Sequence, residues 1–600
     1  MISRPELIGD IGAVSSTSPL ASGAAMAVLE QGGNAFDAAV AGGLVLQVVE
    51  PHSNGPGGDV AIVAQRSGSE DASVICGQGP MPGGADLAHF TGLGLRQIPG
   101  SGLLPATVPG AMGAWLRLLA DFGRLPLETV AEPAIGYAAN GYPVMPDTAK
   151  AIGALVPLFE DEWASSGKAY LVGGRAPAAG ERLANPDLAA VLRRLVTEAK
   201  AGGADRNAQI ERAERAFYEG FVAEAIDGFV ASTEVLDASG RRHRGLLTGE
   251  DLAAWRAEVE PALRLDYRGL TVNKPGPWSQ GPVFLQQLAL LKGYDLRSLA
   301  PDDPEYVHLL TEAAKLAFAD REAWYGDPAV HPDSPLTTLL SAEYTAARRR
   351  LIGDRADPAP VPGTPGGRTS GVPAVEPDPA PDWGGDWMGQ LQSGMPTVVL
   401  RATLKPSDTC ALVVADRYGN LVAAVPSGGW LKSSPVVPGL GFPLGTRGQT
   451  MWLVEGHPNA VAGGKRPRTT LSPTLVSRDG RPHLAFGTPG GDRQDQWTLE
   501  TFLAVAEFGA DLQQSTEVPL FHTDHFPSSF TPRGRRHGTM VAEAGIGSEA
   551  VAELRRRGHV VDVVPEMSLG AKACIVGAGR DGFLRAGAGP RGRQAYAVCR

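Results

Sequence analysis

The chain is short of the residues that mark metal, disulfide and membrane proteins. Four cysteines occur in 600 residues, Cys76, Cys410, Cys574 and Cys599, far apart and without a CxxC pair. That spacing excludes a zinc ribbon and a disulfide framework and fits a reducing compartment. The 11 histidines include no HExxH string, and no GxSxG elbow is present, so zinc-hydrolase and α/β-hydrolase chemistry lack their signatures. No apolar run reaches the ~18 residues of a membrane span, and residues 1–22 lack a basic start followed by an apolar stretch. The expectation is a cytoplasmic protein. Lys and Arg number 54 against 65 Asp and Glu, a net charge of −11, which excludes the broad cationic face of a nucleic-acid binder.

What is abundant is glycine, at 77 positions, with 49 prolines and a hydrophobic fraction of 43%. Such a chain has many tight turns and a large interior, and 600 residues exceed one ordinary core. Helical periodicity is expected over 20–49, interrupted at Gly32-Gly33-Asn34, and over 111–122, 127–140, 185–201, 210–231, 249–258 and 304–325. Residues 50–59, Glu-Pro-His-Ser-Asn-Gly-Pro-Gly-Gly-Asp, read as loop feeding a strand at 60–64. A phosphate cradle instead follows a strand and opens a helix. The prolines crowd into 352–394, which reads as a Pro/Gly-rich mobile linker. Beyond it strands are expected at 411–415, 421–425, 450–454, 475–477 and 483–486, with one more at 263–272, then a helix over 497–508 and an αβ section over 548–597. Helices first and sheet later imply a layered α/β fold with helices covering mainly antiparallel sheet.

Thr409 stands where the polar Lys405-Pro406-Ser407-Asp408 meets the apolar run 411–415. If the Asp408–Thr409 bond were cut, Thr409 would carry its own base, an α-amine of ordinary pKa about 7.7–8.0, beside its hydroxyl. Ser427 ends the next strand, and Gly490-Gly491 follows another with backbone N–H groups suited to an oxyanion. Thr469-Thr470 adds clustered hydroxyls. Each feature also has an ordinary use: threonine opens strands, Gly-Gly ends them, and Thr pairs fill sheets. His522-Thr523-Asp524-His525 is the most metal-like string, though isolated histidines are usually structural.

These strings together resemble the gamma-glutamyltranspeptidase family of N-terminal nucleophile hydrolases, over about residues 11–598. The resemblance rests on Gly32-Gly33-Asn34-Ala35-Phe36-Asp37-Ala38-Ala39-Val40, Glu50-Pro51-His52-Ser53-Asn54-Gly55-Pro56-Gly57-Gly58, Gly464-Lys465-Arg466-Pro467 and Thr488-Pro489-Gly490-Gly491. It implies a four-layer αββα fold of two stacked sheets, and a precursor that cuts itself into a large subunit, 1–408, and a small one, 409–600, which stay together. It also implies catalysis by Thr409 with Ser427 and the Gly490/Gly491 oxyanion pair, autocleavage at Asp408–Thr409, and substrate contacts from Thr469 and Thr470.

Other positions depart from the family. Gln78 stands near the family's carboxylate-gripping arginine, while Gly429 and Arg447 stand near its amine-holding residues. Arg447 would repel an ammonium group and re-site carboxylate recognition. The expected substrate is a gamma-glutamyl or related carboxylate-bearing amide. The alternatives are an amide of a small non-glutamyl acid such as oxamate, and an unprocessed, inactive ligand-binding homologue. No cofactor or metal is called for, no nucleic acid or membrane partner is expected, and further oligomerisation is left open.

Overall fold

A computed structural model describes residues 3–332, 334–370 and 409–600. Its centre is two stacked seven-stranded antiparallel sheets. The first runs Tyr596–Cys599, Gly12–Ser16, Leu412–Asp416, Leu421–Ser427, Asp59–Gln65, Ser73–Gly77, Glu258–Pro261. The second runs Leu7–Gly9, Leu584–Ala588, Cys574–Ala578, Arg481–Gly487, Thr474–Arg478, Leu270–Lys274, Leu263–Tyr267. The central strands are apolar on both faces because both faces are covered. In Leu412–Asp416, Val413 and Ala415 face the second sheet, while Leu412 and Val414 face helices.

The space between the sheets is filled mostly by small residues, among them Ala13, Ala61, Val413, Ala423, Ala485, Val576 and Ala586. Outside the first sheet lie Pro19–Glu30, Ala35–Val49 and Ala111–Phe122, and outside the second lie Gly281–Leu291, Pro304–Trp324 and Gln494–Ala506. The layers are therefore helix, sheet, sheet, helix, as expected. Strands from before residue 409 pair with strands from after it in both sheets, Gly12–Ser16 with Leu412–Asp416, Asp59–Gln65 with Leu421–Ser427 and Leu270–Lys274 with Thr474–Arg478, so a cut between residues 408 and 409 leaves the halves hydrogen-bonded edge to edge.

The Gly-Gly-Asn break has a local cause. Gly32 takes a φ of 92°, and Asn34 caps the next helix in a reciprocal box, accepting from Asp37 N at 3.0 Å while Asp37 Oδ2 accepts from Asn34 N at 2.9 Å. Asp416 Oδ2 accepts from Ala35 N at 2.8 Å, fastening that helix start to the central hairpin turn.

Several expectations are corrected. Residues 450–454 form no strand: a 3₁₀ turn at Arg447–Thr450 leads into irregular chain. The helix expected over 210–231 is two, Arg206–Tyr218 and Phe221–Ser232, separated by Gly220. The strand expected over 263–272 is a hairpin turning at Arg268-Gly269, both at positive φ. Of the expected linker, the described part 352–370 is fastened: Arg348 donates to the Val361 carbonyl at 2.7 Å, and Gly363 N donates to buried Asp320 at 2.8 Å. Residues 371–394 and Asp408 lie outside the described residues.

Candidate active site

Thr409 starts the central hairpin. It bridges to Ser427 across the ladder, Cys410 N donates to the Pro426 carbonyl at 2.9 Å, and the Thr409 and Ser427 hydroxyl oxygens stand 3.2 Å apart. Thr409 is 7% exposed and reaches one wall of a cavity of about 440 Å³. Beneath Ser427 the chain passes so close that a side chain at Gly58 would collide with the Ser427 and Gly428 carbonyl oxygens. This close approach is why the 50–59 loop is rich in glycine.

Gly490 and Gly491 line the same cavity. They follow Arg481–Gly487 of the second sheet and lead into Gln494–Ala506, with φ of 144° and 57°. A Cβ on Gly490 would lie 2.5 Å from the Trp497 ring, so glycine is required there by space as well as by φ. Consecutive amides in this conformation, just ahead of a helix N-terminus, make a local positive potential. Asp492 next to them accepts from Ser529 Oγ at 2.6 Å and Ser529 N at 2.8 Å and pairs with Arg321.

Arg321 and Arg468 both pair with Glu322, at 2.7 and 2.8 Å, joining the two sides of residue 409 behind the glycines. Burial alone would raise the Glu322 carboxyl, but Arg468 and Arg321 outweigh it and hold it at about 2, below its ordinary 4.5. Between those values the folded protein binds fewer protons there than the unfolded chain. The stabilisation is thus fully present above about pH 4.5 and is lost as the pH falls towards about 2. Glu322→Gln is expected to lower the urea midpoint at pH 7, with the gap to the wild type closing as the pH drops through 4. A gap independent of pH would contradict this.

The remaining sequence-selected residues lie apart from the cavity wall. Arg447 is 2% exposed and forks onto Asp59, Nε to Oδ2 at 2.8 Å and Nη2 to Oδ1 at 2.9 Å. The repulsion argument for Arg447 is therefore corrected, because its charge is matched by a carboxylate the sequence reading overlooked. Thr469 Oγ1 stands 3.5 Å from Asp59 Oδ2. Gln78 donates to the Gly79 carbonyl at 2.8 Å, and Gly429, at φ 60°, packs on Gly57 and Gly58. Arg447 Nη1, Thr470 Oγ1 and Gln78 Oε1 are buried without hydrogen-bond partners.

The metal-like string is split. His522 Nε2 lies 3.5 Å from Asp524, whereas His525 Nδ1 accepts from Gly538 N at 3.0 Å. Among the described residues a metal-like spacing occurs instead at His308, Glu312 and His559, where the histidines bond each other at 2.8 Å and Lys315 takes Glu312 at 2.7 Å. Asp59 could have been suspected as the acid closing the Gly-Pro-Gly-Gly loop. Trp430 and Phe530, which line the cavity, carry no motif.

The sequence model of gamma-glutamyltranspeptidase matches residues 21–599. The solved structure of LmbA2991HD superposes with a TM-score of 0.91 at 50% identity, covering 100% of each chain. A glutathione hydrolase-like proenzyme of Bacillus subtilis (strain 168), YwrD, is 30% identical over 589 residues, 98% of each chain. An oxamate amidohydrolase proenzyme of Klebsiella pneumoniae is 30% identical over 596 residues, 96% of each chain. With a match running nearly end to end, two stacked sheets between helix layers, and the threonine and glycine pair on one cavity, the chain belongs to the gamma-glutamyltranspeptidase family.

Proposed function

We propose that this chain is a self-processing amide hydrolase or acyltransferase that works through an acyl ester on Thr409. The observation that carries the reading is the Thr409 hydroxyl, 3.2 Å from the Ser427 hydroxyl on a cavity shared with Gly490 and Gly491. In maturation the Thr409 oxygen attacks the Asp408 carbonyl carbon, the C–N bond breaks as the nitrogen takes a proton, and water hydrolyses the resulting ester. Asp408 becomes a carboxylate and Thr409 gains a free amine. In turnover that amine accepts the hydroxyl proton as the oxygen attacks the substrate amide. Ser427 orients the hydroxyl, and the Gly490 and Gly491 amides hold the oxyanion. The amine leaves with a proton, and water or a second amine takes the acyl group. Subunits 1–408 and 409–600 stay paired through the shared sheets.

Arg447 Nη1 and the Thr470 hydroxyl, with Thr469 beside them, are the proposed hold on an acyl-group carboxylate. Gln78 and Gly429 complete that side. Asp59, the carboxylate on that side, is already forked onto Arg447, which leaves an α-ammonium poorly matched. The favoured acyl group therefore bears a carboxylate without an α-amine, while the relatives' names, glutathione hydrolase-like and oxamate amidohydrolase, allow either kind. N-glutaryl anilide is expected to be cleaved with at least about tenfold higher kcat/KM than gamma-glutamyl anilide, a difference of about 1.4 kcal/mol in transition-state binding. Faster cleavage of the gamma-glutamyl compound would overturn the preference, and cleavage of neither would overturn the hydrolase reading for carboxylate amides.

A further inference from the structure

The cavity at Thr409 extends well past the glycines, to the loop of residues 524–538 between the strands Phe521–Thr523 and Thr539–Glu543. At about 440 Å³ it falls within the roughly 300–1,000 Å³ of sites that enclose drug-sized ligands. The residues proposed above to hold the acyl group, Thr469, Thr470 and Arg447, do not line it. On that reading the cavity receives the leaving amine.

Two aromatic pairs line it. Trp430 and Phe530 meet edge to face with centroids 6.0 Å apart, and Phe318 and Phe526 stack at 6.2 Å. The charges on the wall do not balance: Arg321, Lys432, Arg493, Arg535 and Arg536 stand against Asp492 and Asp524. Arg321 pairs with Asp492, Arg493 with Asp524 at 3.1 Å, and Arg536 with Asp562 outside the cavity. Burial alone would raise the Asp524 carboxyl, but His522 and Arg493 more than offset it and hold it below the usual range, so Asp524 stays ionised. Burial lowers the His522 imidazole, with Arg493 adding to the effect and Asp524 opposing it. Among the described residues no carboxylate pairs with Arg535, which is half-buried. A half-buried guanidinium on a cavity that is also lined by aromatic rings suits a planar anionic ligand: the rings take its apolar part and the fork takes a carboxylate.

We propose that this outer cavity is a subsite for an aromatic carboxylate on the leaving-amine side of the substrate, with Arg535 as the carboxylate's partner. The substrate class is then an N-acyl aminoaryl carboxylate. This rests on the acyl-Thr409 reading for its catalytic meaning, but ligand binding tests it separately.

The test is calorimetric binding of 4-aminobenzoate, its neutral isostere 4-aminobenzamide, and cyclohexanecarboxylate to the purified full chain, in the wild type, Arg535→Gln and Arg535→Lys. The expected result is at least about tenfold tighter binding of 4-aminobenzoate than of either other probe, in line with a charge-assisted hydrogen bond. Arg535→Gln should bring the benzoate-to-benzamide ratio close to one, and Arg535→Lys should recover part of it. Equal binding of benzoate and benzamide by the wild type, no binding of 4-aminobenzoate, or a preference that survives Arg535→Gln would overturn the assignment. Cyclohexanecarboxylate binding as tightly as 4-aminobenzoate would overturn the aromatic part. If the preference is present but neither N-glutaryl- nor gamma-glutamyl-4-aminobenzoate is cleaved, the hydrolase reading fails and the subsite stands.

Discussion

Thr409→Ala is expected to remain a single chain of 62.6 kDa and to lose at least about four orders of magnitude in amide hydrolysis. Removing a nucleophile from a comparable acyl-transfer enzyme costs about 10⁶ in kcat, with the residual rate coming from the remaining binding and oxyanion groups. Here the same hydroxyl is asked to serve twice, in maturation and in turnover, so both functions should fall together. Thr409→Ser keeps an oxygen on the same backbone and within reach of Ser427, and should process and turn over measurably. Denaturing electrophoresis and a steady-state assay read both variants. An alanine variant that still splits at Asp408 would remove Thr409 from the maturation step, and one that splits and hydrolyses would remove it from both.

Arg447→Met should be the most destabilising single change at the site. Both partners of the Arg447–Asp59 pair are almost completely buried, at 2% and 3% exposure. Burial already pushes the Asp59 carboxyl up, with Arg447 pulling against it. Without the arginine, Asp59 must either sit buried and charged or take up a proton. Breaking one side of such a pair costs about 3–5 kcal/mol, whereas exchanging both partners for apolar residues is often neutral. Urea unfolding should therefore place Asp59→Leu/Arg447→Met closer to the wild type than Arg447→Met alone. Because Asp59 precedes residue 409 and Arg447 follows it, the single variant should also loosen the association of the two subunits. A loss below about 0.5 kcal/mol in Arg447→Met, the level of an ordinary surface change, would show that the pair holds nothing.

How far the sequence speaks depends on where the partner lies. The hairpin at 412–427 is legible because two apolar runs flank Asp-Arg-Tyr-Gly-Asn, and the turn is closed locally by Asp416, which accepts from Tyr418 N at 2.9 Å and Asn420 N at 3.0 Å. The Gly-Gly-Asn break is legible for the same reason. The 450–454 run misleads because its alternation reflects two separate burials: Met451 joins a small cluster with Met81 and Leu104, while Trp452 exchanges hydrogen bonds with Asn459 and Val461 in irregular chain. No period reports such loop packing. The Asp59 partner of Arg447 stands 388 residues away, and Phe318 meets Phe526 across the cavity. Motif spacing brings out the hydroxyl proposed as reactive and its glycines. The groups that set charge and shape around them come together only in the fold.

The most direct measurement is the intact mass, with N-terminal sequence, of the purified wild-type protein after brief incubation with a slowly cleaved N-glutaryl amide. Two polypeptides are expected, 1–408 and 409–600, the smaller beginning at Thr409 and carrying one glutaryl ester on that residue. A single intact chain, a different N-terminus, or an acyl group on any residue other than Thr409 would contradict the acyl-Thr409 reading.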